Sequence, residues 1–229
     1  MNSKILIIKI WGSIFAPKNN KDFNLKYLEN LHITLKKIYK WKIIIIHWTW
    51  NVWHWFVKNF WINNKTFSKY LKVRNNFFLK MDNIFYKYKR VLARKVNKIG
   101  KNIFNNLEEN IIIWWDALNK TFEIISSDTI FWKLIWWNKN IEIILTDVDW
   151  VLNKQWELFE KINLSKLDDI KFWNKENDVT GSMKWKLLAI KKYIWTNSKW
   201  VWLCNWFDLD NLEKIIKTWK WKWTFLVLD

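Results

Sequence analysis

The chain has 229 residues, of which 51% are hydrophobic, so it can bury a sizeable core and is not intrinsically disordered. Its formal net charge is +18, and it carries 23 Trp against 3 Gly, although glycine makes up about 7% of an average protein. No apolar run reaches the roughly 18 residues that cross a bilayer, and the N-terminus lacks the features of a signal peptide. One cysteine, Cys204, excludes an internal disulfide. We therefore expect a cytoplasmic protein with no membrane partner.

Short apolar runs alternate with amphipathic stretches along the chain. Strands are predicted at 4–10, 42–47, 110–114, 122–126, 141–147, 200–205 and 224–229. Helices are predicted from a 3.6-residue apolar period near 23–40, 66–80, 83–98, 127–135, 183–194 and 208–217. Strands that alternate with helices form mainly parallel sheets, which bind ligands at the carboxyl ends of their strands. The sequence therefore predicts an α/β fold with its site at that edge.

Tryptophan follows the predicted strands at the points where the chain must turn. It occurs there in KIWGS (9–13), HWTW (47–50), DVDWV (147–151) and CNWFD (204–208). Glycine suits such positions because it adopts positive φ at no steric cost, whereas a bulky side chain does not. We hypothesise that the gene uses UGA as a glycine codon and that the printed sequence shows Trp at those codons.

The first of these turns, KIWGS, follows the first predicted strand. Backbone N–H groups of a glycine-rich turn bind phosphate oxygens, and a lysine neutralises the charge that develops during phosphoryl transfer. With glycine read for Trp11, the segment resembles the Lys-x-Gly-Gly-Ser motif of the amino acid kinase family. The resemblance implies that Lys9 and the later Lys18 are catalytic and that Trp11, Gly12 and Ser13 contact the nucleotide. Taken alone, Lys9 would more often be an ordinary charge at a strand end.

The second turn, HWTWNVWHW (47–55), resembles the family's His-Gly-Gly-Gly-Ser-Phe-Gly-His loop. Its final histidine, His54, is typical of the isopentenyl phosphate kinases, to which the chain is most similar over about residues 4–228. The resemblance implies that His54 holds the phosphate of a phosphomonoester acceptor, for which an imidazole is well suited. It also assigns Thr49 to the acceptor and Trp50 to the nucleotide. His47 and His32 are interpreted as structural.

The segment IISSDT (124–129) resembles the family's Ser-Gly-Asp-Asp sequence. The resemblance implies that Asp128 orients catalytic lysines, since a carboxylate between two ammonium groups fixes their direction. Ser127 stands where the family has glycine and is assigned to the acceptor. Thr129 replaces a second aspartate, which puts a role at that position in doubt.

Two further segments resemble the family's nucleotide lobe. ILTDVDWVL (143–151) ends a strand, and Asp147 is the candidate for nucleotide contact. Without its surroundings, this Asp-x-Asp pattern could instead indicate a metal site or an aspartate nucleophile. DVTGSMKWK (178–186) resembles Asp-x-Thr-Gly-Gly-Met-x-x-Lys, which implies that Gly181, Ser182 and Lys186 bind the nucleotide phosphates, with Lys186 also catalytic.

The resemblance implies one domain with a three-layer α/β/α fold around an open, mostly parallel sheet. A substrate lobe would cover about 1–140 and a nucleotide lobe about 141–229. The implied reaction transfers a phosphoryl group from ATP, with Mg²⁺, to isopentenyl phosphate, in isoprenoid biosynthesis. The expected partners are a small phosphomonoester and a second copy of the chain, and neither nucleic acid nor a dedicated protein metal site is expected.

Alternatives remain open at this stage. Another small phosphorylated or phosphonate acceptor would fit the same motifs. If the tryptophans are real, the basic, Trp-rich chain could instead bind nucleic acid or a membrane surface, because aromatic rings stack bases and lysines follow phosphates. The predicted helices between 63 and 105 could line the acceptor's hydrocarbon pocket or form a packing surface.

Overall fold

A computed structural model of the chain describes part of its length. The described residues are 5–10, 14, 24–38, 42–47, 64–93, 109–115, 127, 130, 131, 133, 134, 141–146, 151, 157, 159–169, 187, 188, 190, 191, 201–205, 208–218 and 224–227. The strands among them are β1 (Ile5–Ile10), β2 (Lys42–His47), β3 (Tyr88–Ala93), β4 (Asn110–Trp115), β5 (Ile141–Thr146), β6 (Lys161–Asn163), β7 (Val201–Asn205) and β8 (Thr224–Val227). The longer helices are α1 (Leu25–Lys37), α2 (Asn64–Ile84) and α3 (Leu209–Thr218), and a 3-10 helix covers Leu164–Asp169.

The strands form one sheet in the order β3-β4-β2-β1-β5-β7-β8-β6. Every neighbouring pair is parallel except β7 and β8, which are antiparallel. The chain first adds β2 on one side of β1 and later places β5 on the other side. The strand order therefore reverses beside β1, and such a reversal opens a ligand crevice at the carboxyl ends of parallel strands. The predicted open, mostly parallel sheet is confirmed.

Both faces of the sheet are buried. Helices α1, α2 and α3 pack on one face, in a cluster that includes Leu6, Ile8 and Ile10 of β1. Ile7 and Lys9 point to the other face because side chains alternate along a strand, and they are 0% and 2% exposed. Further buried residues with helical backbone, outside the first cluster, are Ile130, Phe131, Leu134, Leu187 and Ile190. The arrangement agrees with the predicted three-layer α/β/α fold.

Side-chain caps fix where two helices begin on that face. The Asn24 Oδ1 accepts a hydrogen bond from the backbone N–H of Tyr27 at 3.2 Å, at the start of α1. The Asp208 Oδ1 accepts from the backbone N–H of Asn211 at 2.8 Å, at the start of α3. These side chains satisfy backbone donors that have no partner inside the helix.

The helix predicted near 83–98 is wrong. Helix α2 ends at Ile84, the Tyr88 N–H donates to the Phe85 carbonyl at 2.8 Å, and Tyr88–Ala93 is the edge strand β3. The segment YKRVLA contains good helix formers, but pairing with β4 along its whole length overrides that propensity. The short strand β6 and the 3-10 helix that follows it were not predicted. The strand predicted at 122–126 lies outside the described residues.

Candidate functional site

The parallel strands of the sheet centre end in register at one edge. Ile10 of β1 lies beside His47 of β2, and His47 lies beside Trp114 of β4. On the other side, Thr146 of β5 lies beside Asn205 of β7. This is the edge at which the strand order reverses, so it is where the fold places a ligand.

Lys9 lies at this edge, one residue before the end of β1. Its neighbours in the sheet are Ile46 of β2 and Ile144 of β5, and its side chain is only 2% exposed. This position places a buried positive charge at the point of the sheet where the fold binds a ligand.

His47 is the last residue of β2, shortly before Thr49, Trp50 and His54 in the sequence. It is 2% exposed, and its ring centroid lies 4.4 Å from that of Trp114 and 5.9 Å from that of Phe77 in α2. Burial, and secondarily the charge of Arg90, lowers the pKa of His47 to about 3. The imidazole is therefore neutral at physiological pH and packs the end of β2 against β4 and α2, in agreement with the structural role predicted for it.

A hydrogen bond joins the chain after β5 to the start of β8. The hydroxyl Oγ1 of Thr224, at the start of β8, accepts from the backbone N–H of Val151 at 3.2 Å. The carbonyl of Val151 in turn accepts from the N–H of Phe159 at 2.9 Å. Thr224 is fully buried and is aligned with Leu203 of β7. The sequence signal was a tryptophan–threonine pair, which the recoding hypothesis converts to Gly-Thr, but the bond to Val151 was not predicted.

Ser127 is the second predicted site residue that the structure describes. It has helical backbone and is 5% exposed. It precedes the buried side chains of Ile130, Phe131 and Leu134. The predicted helix at 127–135 is thus present at the described positions, and the assignment of Ser127 to an acceptor stays a prediction.

The other predicted site residues lie outside the described part of the chain: Trp11, Gly12, Ser13, Lys18, Thr49, Trp50, His54, Asp128, Asp147, Gly181, Ser182 and Lys186. Strands β1, β2 and β5 end within one to three residues of Trp11, Thr49, Trp50 and Asp147. Their roles remain predictions.

The described residues contain no cluster of three or more His, Cys, Asp and Glu side chains suited to a metal ion. Within the same part of the chain, every helix is too short or too polar to cross a bilayer.

Comparisons with known proteins agree on the fold. No protein-family model and no curated protein sequence matches the chain. Its structure is similar to an isopentenyl phosphate kinase in complex with substrate, with a TM-score of 0.69 at 17% identity over 97% of this chain and 99% of that chain. The product complex of T. acidophilum isopentenyl phosphate kinase gives a TM-score of 0.68 at 15% identity over 97% and 99%. UMP kinase from Ureaplasma parvum gives 0.64 at 16% identity over 99% and 97%.

The strand order, the parallel pairing and these similarities together define the architecture. The chain has the fold of the amino acid kinase family. Structural neighbours of this fold include kinases of isopentenyl phosphate and of UMP.

Proposed function

We propose that the protein is an ATP-dependent kinase that phosphorylates isopentenyl phosphate to isopentenyl diphosphate. The observation that carries the proposal is the burial of Lys9 at the carboxyl end of β1, beside the reversal of strand order. A phosphoryl-transfer site needs fixed positive charge where the migrating group gains negative charge, and a buried ammonium interacts more strongly than an exposed one. The similarity to isopentenyl phosphate kinase structures supports the choice of reaction.

The proposed division of roles follows the sequence motifs. Lys9, Lys18 and Lys186 neutralise charge on the transferring group, while Asp128 orients lysines and His54 holds the acceptor phosphate. No residue forms a covalent intermediate, because catalysis rests on positioning and charge stabilisation. Contacts with the nucleotide are assigned to Trp11, Gly12, Ser13, Trp50, Asp147, Gly181, Ser182 and Lys186.

ATP supplies the phosphoryl group, and Mg²⁺ bound to its phosphates reduces their negative charge. Lys9 fits the binding of ATP phosphates, because its buried ammonium lies near the carboxyl end of β1, beside the reversal of strand order. Mg²⁺ commonly binds through substrate phosphates and one or two carboxylates. Asp147, directly after β5, is the candidate carboxylate at this edge.

Helix α2 provides a candidate wall for the acceptor's hydrocarbon tail. It leads into β3 at the amino edge of the sheet, so its first half lies toward the carboxyl edge, where β2 ends. Phe77 packs on His47, which leads into the loop of Thr49 and His54. Leu71 and Val73, half-buried in the first half of α2, are the proposed contacts with the tail. The segment beyond Ile84 is excluded from this role as a helix, since it forms β3.

The test is an ATP-dependent assay of the protein made with glycine in place of Trp11, Trp48, Trp50 and Trp150. Isopentenyl phosphate is compared with UMP and with a panel of phosphomonoesters and phosphonates. We expect the highest kcat/KM for isopentenyl phosphate, and a His54→Ala variant should raise KM for the acceptor with a smaller change in kcat. A folded protein that phosphorylates nothing in the panel would refute the proposal.

A higher kcat/KM for UMP or for a phosphonate would replace isopentenyl phosphate by that acceptor. Retention of a nucleic acid or of anionic vesicles by an inactive, Trp-containing protein would favour the non-enzymatic alternative. Sedimentation of the active protein tests the proposed homodimer.

A further inference from the structure

A cavity lies at the amino ends of the strands, whereas the candidate active site lies at their carboxyl ends. It has a volume of about 570 Å³ and is lined by Asp82, Asn83, Phe85, Tyr86, Tyr88 and Arg90. These residues connect the end of α2 to the start of β3. Because β3 runs parallel to β4 and β2, its first residues lie at the amino edge, away from Lys9 and His47. A volume of this size accommodates a small organic ligand.

Arg90 and Asp82 are the charged residues that line the cavity, and two lysines lie near its Tyr86 ring. The guanidinium of Arg90 pairs with the carboxylate of Asp82 and donates to the carbonyl of Phe78 at 2.8 Å. The ammonium groups of Lys36 and Lys87 lie 5.9 and 5.6 Å from the centre of the Tyr86 ring. Arg90 is thus neutralised locally by Asp82, whereas the two lysines both lie beside one exposed aromatic ring. Two ammonium groups match the charge of a phosphate dianion.

Aromatic rings supply the apolar part of the same cavity. Tyr86 is 64% exposed, while Phe85 and Tyr88 contact each other edge to face, with ring centroids 5.3 Å apart. An exposed tyrosine ring offers a stacking surface for a flat ligand. The Asn83 amide adds a hydrogen-bonding group at the wall.

His32 of α1 lies behind this aromatic wall. Its ring is edge to face with Phe85 at 5.0 Å and with Tyr88 at 6.1 Å, and it is 8% exposed. Among the described residues, neither imidazole nitrogen has a hydrogen-bond partner. Burial, followed by the charges of Lys36 and Lys87, lowers the pKa of His32. An anion between those lysines would offset their charge and raise the pKa of His32 again.

We propose that this cavity, together with Lys36 and Lys87 close to its Tyr86 ring, binds a small aromatic phosphomonoester at a site separate from the candidate active site. The ring of the ligand stacks on Tyr86, and its phosphate lies between the two ammonium groups. The proposal rests on these contacts alone and is independent of the kinase activity. A bound phosphate would offset the charges of Lys36 and Lys87, so binding is coupled to the protonation of His32.

The test uses phenyl phosphate as the probe and the imidazole resonance of His32, assigned with a His32→Gln variant, as the readout. We expect the pKa of His32 to rise on titration with phenyl phosphate. Tyr86→Ala and Lys87→Gln should each raise the Kd of phenyl phosphate, obtained from this titration, about tenfold. A tenfold change in Kd corresponds to the loss of roughly 1.4 kcal/mol of stacking or charge interaction. Both side chains are exposed, so neither substitution should disturb folding.

Lys69→Gln is the matched control, because Lys69 is an exposed lysine in the first half of α2, whereas the cavity lies at the end of that helix, and its loss should leave the response unchanged. Inorganic phosphate and phenol, tested separately, should each bind more weakly than phenyl phosphate. The proposal fails if the His32 resonance does not respond, if Tyr86→Ala and Lys87→Gln respond like the parent protein, or if inorganic phosphate binds as tightly as phenyl phosphate.

Discussion

The buried hydroxyl of Thr224 accepts a hydrogen bond from the backbone N–H of Val151 at 3.2 Å, although 73 residues separate them. Val151 follows the segment that contains Asp147, and Thr224 starts the strand that turns back along β7. The bond therefore fastens the chain after β5 to the last strand of the sheet. Its loss would leave a buried N–H without that partner, which costs about 1–3 kcal/mol.

Replacement of Thr224 by valine keeps the shape of the side chain but removes the acceptor. We expect the free energy of unfolding to fall by about 1–3 kcal/mol, as measured by urea denaturation. Thr218→Val is the control, because the Thr218 hydroxyl donates to the Lys214 carbonyl at an exposed position, where water can replace the bond. Equal effects of the two substitutions would contradict this account.

Replacement of Lys9 by methionine should abolish activity in a protein that still folds. Methionine fills a similar volume without a charge. We expect kcat of the proposed kinase to fall by on the order of 100-fold or more, while the far-ultraviolet circular dichroism spectrum stays that of the parent protein. Lys89→Met, at an exposed position of β3, should change neither quantity. A Lys9→Met enzyme of normal kcat would remove Lys9 from the site.

Two arginines face the ring of Phe78 at different distances. The guanidinium carbon of Arg90 lies 3.8 Å from the ring centre and that of Arg74 lies 5.2 Å from it. Lysine cannot reproduce the planar stacking or the forked hydrogen bonds of arginine. We expect Arg90→Lys to lower the free energy of unfolding by about 1–2 kcal/mol and Arg74→Lys to lower it less. Thermal or urea denaturation checks the order, and the reverse order would contradict it.

The buried imidazole of His47 should make stability depend on pH. Its pKa is about 3 in the folded protein and about 6.5 in an unfolded chain, so the unfolded state binds more protons between these values. The contribution of neutral His47 to the free energy of unfolding is complete above pH 6.5. It is lost as the pH falls toward 3, by up to about 1.4 kcal/mol per pH unit.

Comparison with a His47→Gln variant isolates this contribution, since the other titrating groups are shared. The difference in unfolding free energy between the two proteins should shift in favour of His47→Gln as the pH falls from 7 to 5. A difference that does not change with pH, or an imidazole of His47 that titrates near pH 6.5 in the folded protein, would contradict the prediction.

Trp114 and Trp202 differ from the tryptophans at the predicted turns. Both are buried within strands, where the backbone does not require glycine. The Trp114 ring contacts Phe78 with centroids 4.8 Å apart, and the Trp202 ring contacts Phe225 at 5.5 Å. Loss of such a side chain would cost about 3–5 kcal/mol. We therefore expect mass spectrometry of native peptides to show Trp at these two positions but Gly at 48, 50 and 150. Glycine at 114 or 202 would contradict this distinction.

The sequence predicted the centre of the sheet well because its strands are continuous apolar runs. The pattern KIIIIH predicted β2 with its correct ends, and VWLCN of β7 was predicted to within one residue. The prediction from sequence failed for the two outermost strands, because β3 has the composition of a helix and β6 has only three residues. Pairing with a neighbouring strand decides these edge segments, and that pairing leaves no apolar period in the local sequence.

Some functional features could also be predicted from the sequence, whereas others could not. Lys9 was predicted from a motif; the structure buries it near the end of β1, and its catalytic role stays a prediction. The Val151–Thr224 bond and the cavity beside Tyr86 join segments that are remote in sequence or depend on the turn into β3. No local pattern of residues encodes such contacts, so they became visible only in the folded chain.

The position of β1 between β2 and β5 has a consequence for synthesis on the ribosome. Strand β1 can pair with β2 soon after both have been made, but its other edge has no neighbour until Ile141–Thr146 has been made. Until then, a row of isoleucines and unpaired backbone groups would be exposed on a strand that becomes the centre of the sheet. Nascent chains of this protein should therefore depend on chaperones until β5 is complete, and truncation before residue 141 should produce aggregates.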